Sequence, residues 1–264
     1  MSLVGWLNTG LIIFSGLAIL VISLILYWAG SISSLLIIVT LLSPIVALML
    51  GILGLNAFGH ESLVKDDRFH SLNVWMALGL IVFSLSEIAS GIIHYTGNSI
   101  EICFAVGLVQ MPALLLWGLG VIGYLRSSNS ALGISNTDSI LQFVITLASI
   151  AGLASLVVVA VLNPLQILYT AISIPLIIGL SVILIALGSL IWTLRSGLMV
   201  RPLILLFLGV LLFFIRILFW SFVNYCPGSP FDYVTAIESY ILIGASVLAA
   251  SKLDEIYTVT EDLE

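Results

Sequence analysis

The sequence predicts an all-α integral membrane protein of eight transmembrane helices, with two parallel four-helix repeats as a further expectation. Three observations lead there. Hydrophobic residues make up 61% of 264 and charged residues only 8%, against roughly 25% charged in an average soluble domain. Apolar runs of about 20 residues recur from end to end, and at 1.5 Å rise each one spans a roughly 30 Å hydrocarbon core. The third observation is a weak self-similarity at a fixed spacing of 130 residues, 208 minus 78.

A hydropathy window near 19 residues places spans at 8–28, 34–57, 71–95, 101–125, 139–162, 165–194, 202–224 and 232–251. The first residues lack the positive n-region of a secretory signal, so the first run reads as a retained span. The sixth is long enough to tilt strongly, with Pro175 and the Gly179 region as places for a kink. Counted as two spans, it would change the parity. Connections are short except for 59–70 and 127–138. The first is charged and flanked by His60 and His70, and it reads as a solvated loop. The second is enriched in Ser, Asn and Gly and reads as a linker.

The resulting organisation is a four-helix unit at 1–126, a cytoplasmic linker at 127–138, a second four-helix unit at 139–252 and an acidic cytoplasmic tail at 253–264. Six of the seven basic residues, Lys65, Arg68, Arg126, Arg195, Arg201 and Lys252, fall in even-numbered connections or the tail. The odd connections have none. By the positive-inside rule both termini are cytoplasmic, and the expected location is the cell membrane. The net charge of -6 lies largely in the tail, which reads as a solvated end.

Trp6, Tyr27, Trp28, Trp75, Tyr95, Tyr124, Trp192, Trp220 and Tyr225 map to predicted interfaces and read as anchors in the headgroup region. Gly51 with Gly54, Gly118 with Gly120, and Gly188 with Gly197 read as sites of close helix approach. The internal spacing sets LGLIVFS at 78–84 on LGVLLFF at 208–214 without a gap, and Ser43 on Ser173. Two units of the same orientation would be related by an axis along the membrane normal.

Ionisable groups inside a bilayer are costly and point to function or to a paired partner. Glu87, Arg216 and Glu238 are the clear cases. Counted from the predicted outer span ends, Glu87 and Arg216 lie about 12 Å deep, Gln110 about 13 Å and Glu238 about 9 Å. These four residues form an expected polar layer, serving either a solute or proton or a structural salt bridge. Arginine stays protonated in proteins, so Arg216 needs an anion; Glu238 follows it across a short bend, and Glu87 approaches from the other half.

Nearer the outer surface, His94, Glu101 and Asp232 are candidates for a polar or metal-binding group. His94 and Glu87 share one face of the third span, but one His and one carboxylate fall short of the three or four ligands of a usual zinc set; Glu101 and Asp232 are the candidates to complete it, and no metal is assigned. Cys103 and Cys226 map to the same side and are candidates for a disulfide. No pair of histidines suited to haem and no mid-span lysine suited to retinal is present, so no cofactor is implied. No phosphate-binding or hydrolase motif occurs, and there is no basic patch for nucleic acid.

The expected function is therefore non-catalytic: an anchor or assembly subunit of a membrane complex, or a membrane sensor module. The alternative is a small-solute or ion transporter using the Glu/Arg/Glu layer. The lipid bilayer is the expected partner in either case, joined by other membrane subunits in the first.

Overall fold

The computed structural model describes residues 3–58, 68–96, 99–131, 133, 137–162, 167–195, 197–222 and 229–261. Among them the chain forms eight helices: α1 (Leu3–Trp28), α2 (Ile32–Phe58), α3 (Arg68–Thr96), α4 (Ser99–Ala131), α5 (Thr137–Leu162), α6 (Ile167–Thr193), α7 (Val200–Phe222) and α8 (Pro230–Glu261). Among the described residues, seven helices are long and apolar enough to cross a membrane. The chain is a helical, multi-pass membrane protein.

Helix α6 runs unbroken through Pro175, in keeping with a single sixth span. Two helices run well past their predicted span ends. Helix α4 continues to Ala131, into the predicted linker. Helix α8 continues to Glu261, taking in most of the predicted tail. Hydropathy marks where apolar residues stop, whereas a formed helix propagates cheaply into polar sequence once nucleated.

Local chemistry sets the turns. After α1, Gly30 adopts φ +72°. Its N–H donates to the Tyr27 carbonyl and the Ser31 N–H to the Leu26 carbonyl, the Schellman pattern that needs a glycine at the left-handed position. Helix α8 starts on a cap: the Asp232 N–H donates to Ser229 Oγ at 3.1 Å, and Pro230 occupies the first helical position, where a missing N–H costs nothing.

Six helices close a ring in the order α2, α3, α4, α6, α7, α8 and back to α2. Helix α1 lies outside against α8 and α2, and α5 lies outside against α6 and α4. Advancing every helix number by four converts each of these neighbour pairs into another of them, with the lighter α3–α8 contact as the exception. Helix α8 is the most enclosed, with 72% of its span buried against 17% for α1. Phe14, Leu17, Val21 and Ile25 of α1 are exposed, as suits a lipid-facing helix.

Close approach between ring helices depends on small residues. A Cβ at Gly79 would overlap the Trp117 indole, and one at Gly209 would press on Ile243 and the Ser239 carbonyl. The expected close approach at Gly51, Gly54 and Gly120 is present, whereas nothing lies near Gly118. At the core, the rings of Phe83 and Phe213 meet at 4.7 Å, and Trp117 packs on Phe83 at 4.6 Å. Helices α3 and α7 thus face each other across the middle of the ring.

The end of the ring near the α2–α3 connection corrects one expectation. His70 is buried, with Nε2 donating to the Phe58 carbonyl at 2.6 Å and its ring edge-on to Phe58 at 4.8 Å. It ties α3 to the end of α2 and is not part of a solvated loop. His60 lies outside the described residues.

Candidate functional site

Three helices bring charge to one buried point. Arg216 sits on α7 and is 1% exposed. Its Nε donates to Asp232 Oδ1 at 2.6 Å, and its Nη2 to Asp232 Oδ2 at 2.9 Å. This bidentate fork is the strongest geometry available between a guanidinium and a carboxylate. On the other side, Arg216 Nη1 donates to Glu87 Oε1 at 2.7 Å. Tyr240 donates its hydroxyl to the same oxygen at 2.7 Å.

Asp232 owes its position to the α8 cap. It is the third helical residue after Ser229, where the partial positive charge of a helix start favours a carboxylate. In a capping box the acid at this position reaches back to the cap N–H; here its oxygens hold Arg216. One turn further out, Ser90 on α3 and the Tyr233 hydroxyl are 3.1 Å apart. Beneath the charges lies the aromatic cluster, with the Arg216 guanidinium 5.4 Å from the Phe213 ring centroid and Phe213 beside Tyr240.

Among the described residues, the buried polar atoms with no hydrogen-bond partner include Glu87 Oε2, both amide atoms of Gln110, Ser86 Oγ and Ser43 Oγ. Glu87, Gln110, Ser86 and Ser43 are each fully buried. Gln110, Ala113 and Trp117 are spaced three and seven apart and share one stripe of α4. Trp117 touches Phe83 and Phe213, so that stripe faces the ring centre. Along α3, Gly79, Phe83 and Ser86 share the stripe that meets α4. Thr40 of α2 packs at Gly91, and Gly51 packs at Ala77 and Ile81. That antiparallel register sets Ser43 level with Glu87.

The predicted layer is therefore brought together in part. Glu87 and Arg216 pair, and Gln110 lines the same central region. Glu238 does not join them: its Oε2 lies 2.9 Å from where a Cβ on Gly16 of α1 would be, and its Oε1 has no partner among the described residues. The acid that answers Arg216 from α8 is Asp232, six residues earlier. Helical phase explains the correction, because Asp232 and Tyr240 lie on the α7-facing side of α8 whereas Glu238 lies on the α1 side.

Asp232, expected near the outer surface with His94 and Glu101, holds Arg216. The side chains of His94, Glu101, Cys103 and Cys226 lie outside the described residues, and with them the candidate disulfide. Among the described residues no three His, Cys, Asp or Glu side chains gather into a metal-binding group. Tyr240, Tyr233 and Trp117 were not anticipated as parts of the central region. The Ser229-Pro230-Phe231-Asp232 cap signature was the readable sign that Asp232 begins a helix and points inward with it.

Comparison with protein-family models, curated proteins and solved structures returns no match.

Proposed function

We propose that the protein is a non-catalytic carrier of a small solute or ion, working in the cell membrane with both termini cytoplasmic and using the layer around Glu87, Gln110 and Arg216. The observation that supports it is the set of buried polar atoms without partners beside the Arg216 network. A layer built only to fasten helices is expected to satisfy its polar groups, since each buried and unpaired one costs about 1–3 kcal/mol. Groups kept at that cost inside a bilayer point to something that visits them.

The carrier reading includes two four-helix units, α1–α4 and α5–α8, of the same orientation. The neighbour pairs that recur on advancing the helix number by four support it. So does the 130-residue shift, which carries Gly79 to Gly209 and Ala113 to Ile243, both contact pairs between consecutive helices. The shift also carries Phe83 to Phe213, and these rings touch. Equivalent residues in contact lie on a two-fold axis. Such an axis along the membrane normal runs through substrate sites in carriers built from parallel repeats.

Reconstitution tests the reading. Solute uptake into proteoliposomes that is lost in Gln110→Leu at normal protein level is the expected outcome. Absence of flux for every solute class tried, together with stoichiometric partner subunits on purification from native membranes, would replace the carrier by an anchor or assembly subunit. The exposed apolar face of α1 is the surface such a partner would cover.

A further inference from the structure

We infer that the polar layer binds one hard monovalent cation, a sodium ion, at the free oxygen of Glu87, with Gln110 and the Ser43 and Ser86 hydroxyls as the neutral groups around it. The inference deepens the carrier reading by naming a coupling ion, and takes that ion's role in transport from it.

Charge balance is the first ground. One guanidinium faces two carboxylates, each at 2.7 Å or closer. Among the described residues, the network with both acids ionised carries a surplus of one negative charge. That surplus is not shared evenly. Asp232 takes two of the guanidinium's donors in a fork and also sits in the first turn of α8, so its charge is answered twice. Glu87 receives one guanidinium N–H and the Tyr240 hydroxyl, both on Oε1. Its Oε2 receives nothing. An uncompensated charge in a low-dielectric interior is unfavourable by far more than any one hydrogen bond, so a counter-cation belongs there.

The second ground is the neighbourhood. Among the described residues, the titratable and charged groups facing Glu87 are Arg216 of α7 and Asp232, Tyr233 and Tyr240 of α8. From α2, α3 and α4 come Ser43, Ser86 and Gln110, fully buried and with unused oxygens. Carboxylate, amide carbonyl and hydroxyl oxygens are the donor types that hard cations take. The aromatic floor of Phe83, Trp117 and Phe213 seals the layer on one side, which confines a bound ion to the level of Glu87.

The test is thermal melting of the purified full chain in detergent, at constant pH and ionic strength, with sodium exchanged for choline. A sodium ligand raises Tm by about 5 °C between choline and saturating sodium. Glu87→Gln keeps a one-to-one Arg216–Asp232 pair, and its Tm is expected to be independent of sodium. Gln110→Leu is expected to reduce the sodium effect.

Wild-type melting that does not respond to sodium overturns the inference whether or not the variants fold. A response that persists unchanged in Glu87→Gln overturns it as well. Flux is a separate readout: cation-dependent melting without flux keeps the site and removes the carrier, whereas flux with cation-independent melting does the reverse.

Discussion

The two sides of the polar layer differ in how completely they are answered. On the α7–α8 side, Arg216, Asp232 and Tyr240 hold one another through bonds of 2.6 to 3.4 Å. On the α2–α3–α4 side, Ser43, Ser86, Gln110 and the second oxygen of Glu87 are as deeply buried and hold nothing. The 130-residue shift carries Ser86 to Arg216 and Gln110 to Tyr240. Positions 130 residues apart in the sequence therefore carry different chemistry on the two sides. One side sets the geometry of the ring, and the other keeps polar capacity in reserve.

The largest expected effect comes from breaking the answered side. Arg216→Met leaves two buried carboxylates without their cation and should lower stability by about 3–5 kcal/mol, read as a fall in Tm and in monodisperse yield. Combining it with Asp232→Asn and Glu87→Gln should recover most of that loss, because a neutral network is tolerated where a lone charge is not. A single variant as stable as wild type would show that the network holds no helices together.

Next in size is Gly79→Ala, which forces the Trp117 indole away from α3 and should cost about 1–3 kcal/mol. Gly209→Ala, against Ile243 and the Ser239 carbonyl, should cost a similar amount; a large difference between the two would argue against equivalent places.

On the unanswered side, Gln110→Leu should be neutral or stabilising within about 1 kcal/mol, since it removes two unpaired polar atoms. Strong destabilisation would mean that Gln110 is a structural partner after all. The smallest effect is expected for Glu238→Gln, a change on the half-buried α1-facing side of α8 that should stay within about 0.5 kcal/mol by differential scanning fluorimetry. A loss comparable to that of Arg216→Met would place Glu238 back in the network.

Much of the framework was legible without coordinates. The apolar runs were long enough to locate the helices, and the rarity of charge made Glu87 and Arg216 conspicuous. Asp232 escaped as Arg216's partner because counting residues from a span end gives depth alone. Glu238 had a suitable depth but the wrong phase. Tyr240 escaped because an aromatic residue in an apolar helix looks like packing until its hydroxyl is seen on Glu87. His70 looked solvated because the charged stretch beside it masked its place at the first turn of α3.

The sequence by itself determined the solvent. With 61% hydrophobic and 8% charged residues, the chain has no use for water along most of its length, and each apolar run must close its own backbone hydrogen bonds as a helix. Only the tertiary structure decided which polar groups meet. Depth along a helix is a one-dimensional quantity carried by residue number. Pairing depends on the rotation of each helix about its axis, which is set by glycines such as Gly79 and Gly209 and by the rings packed at the centre.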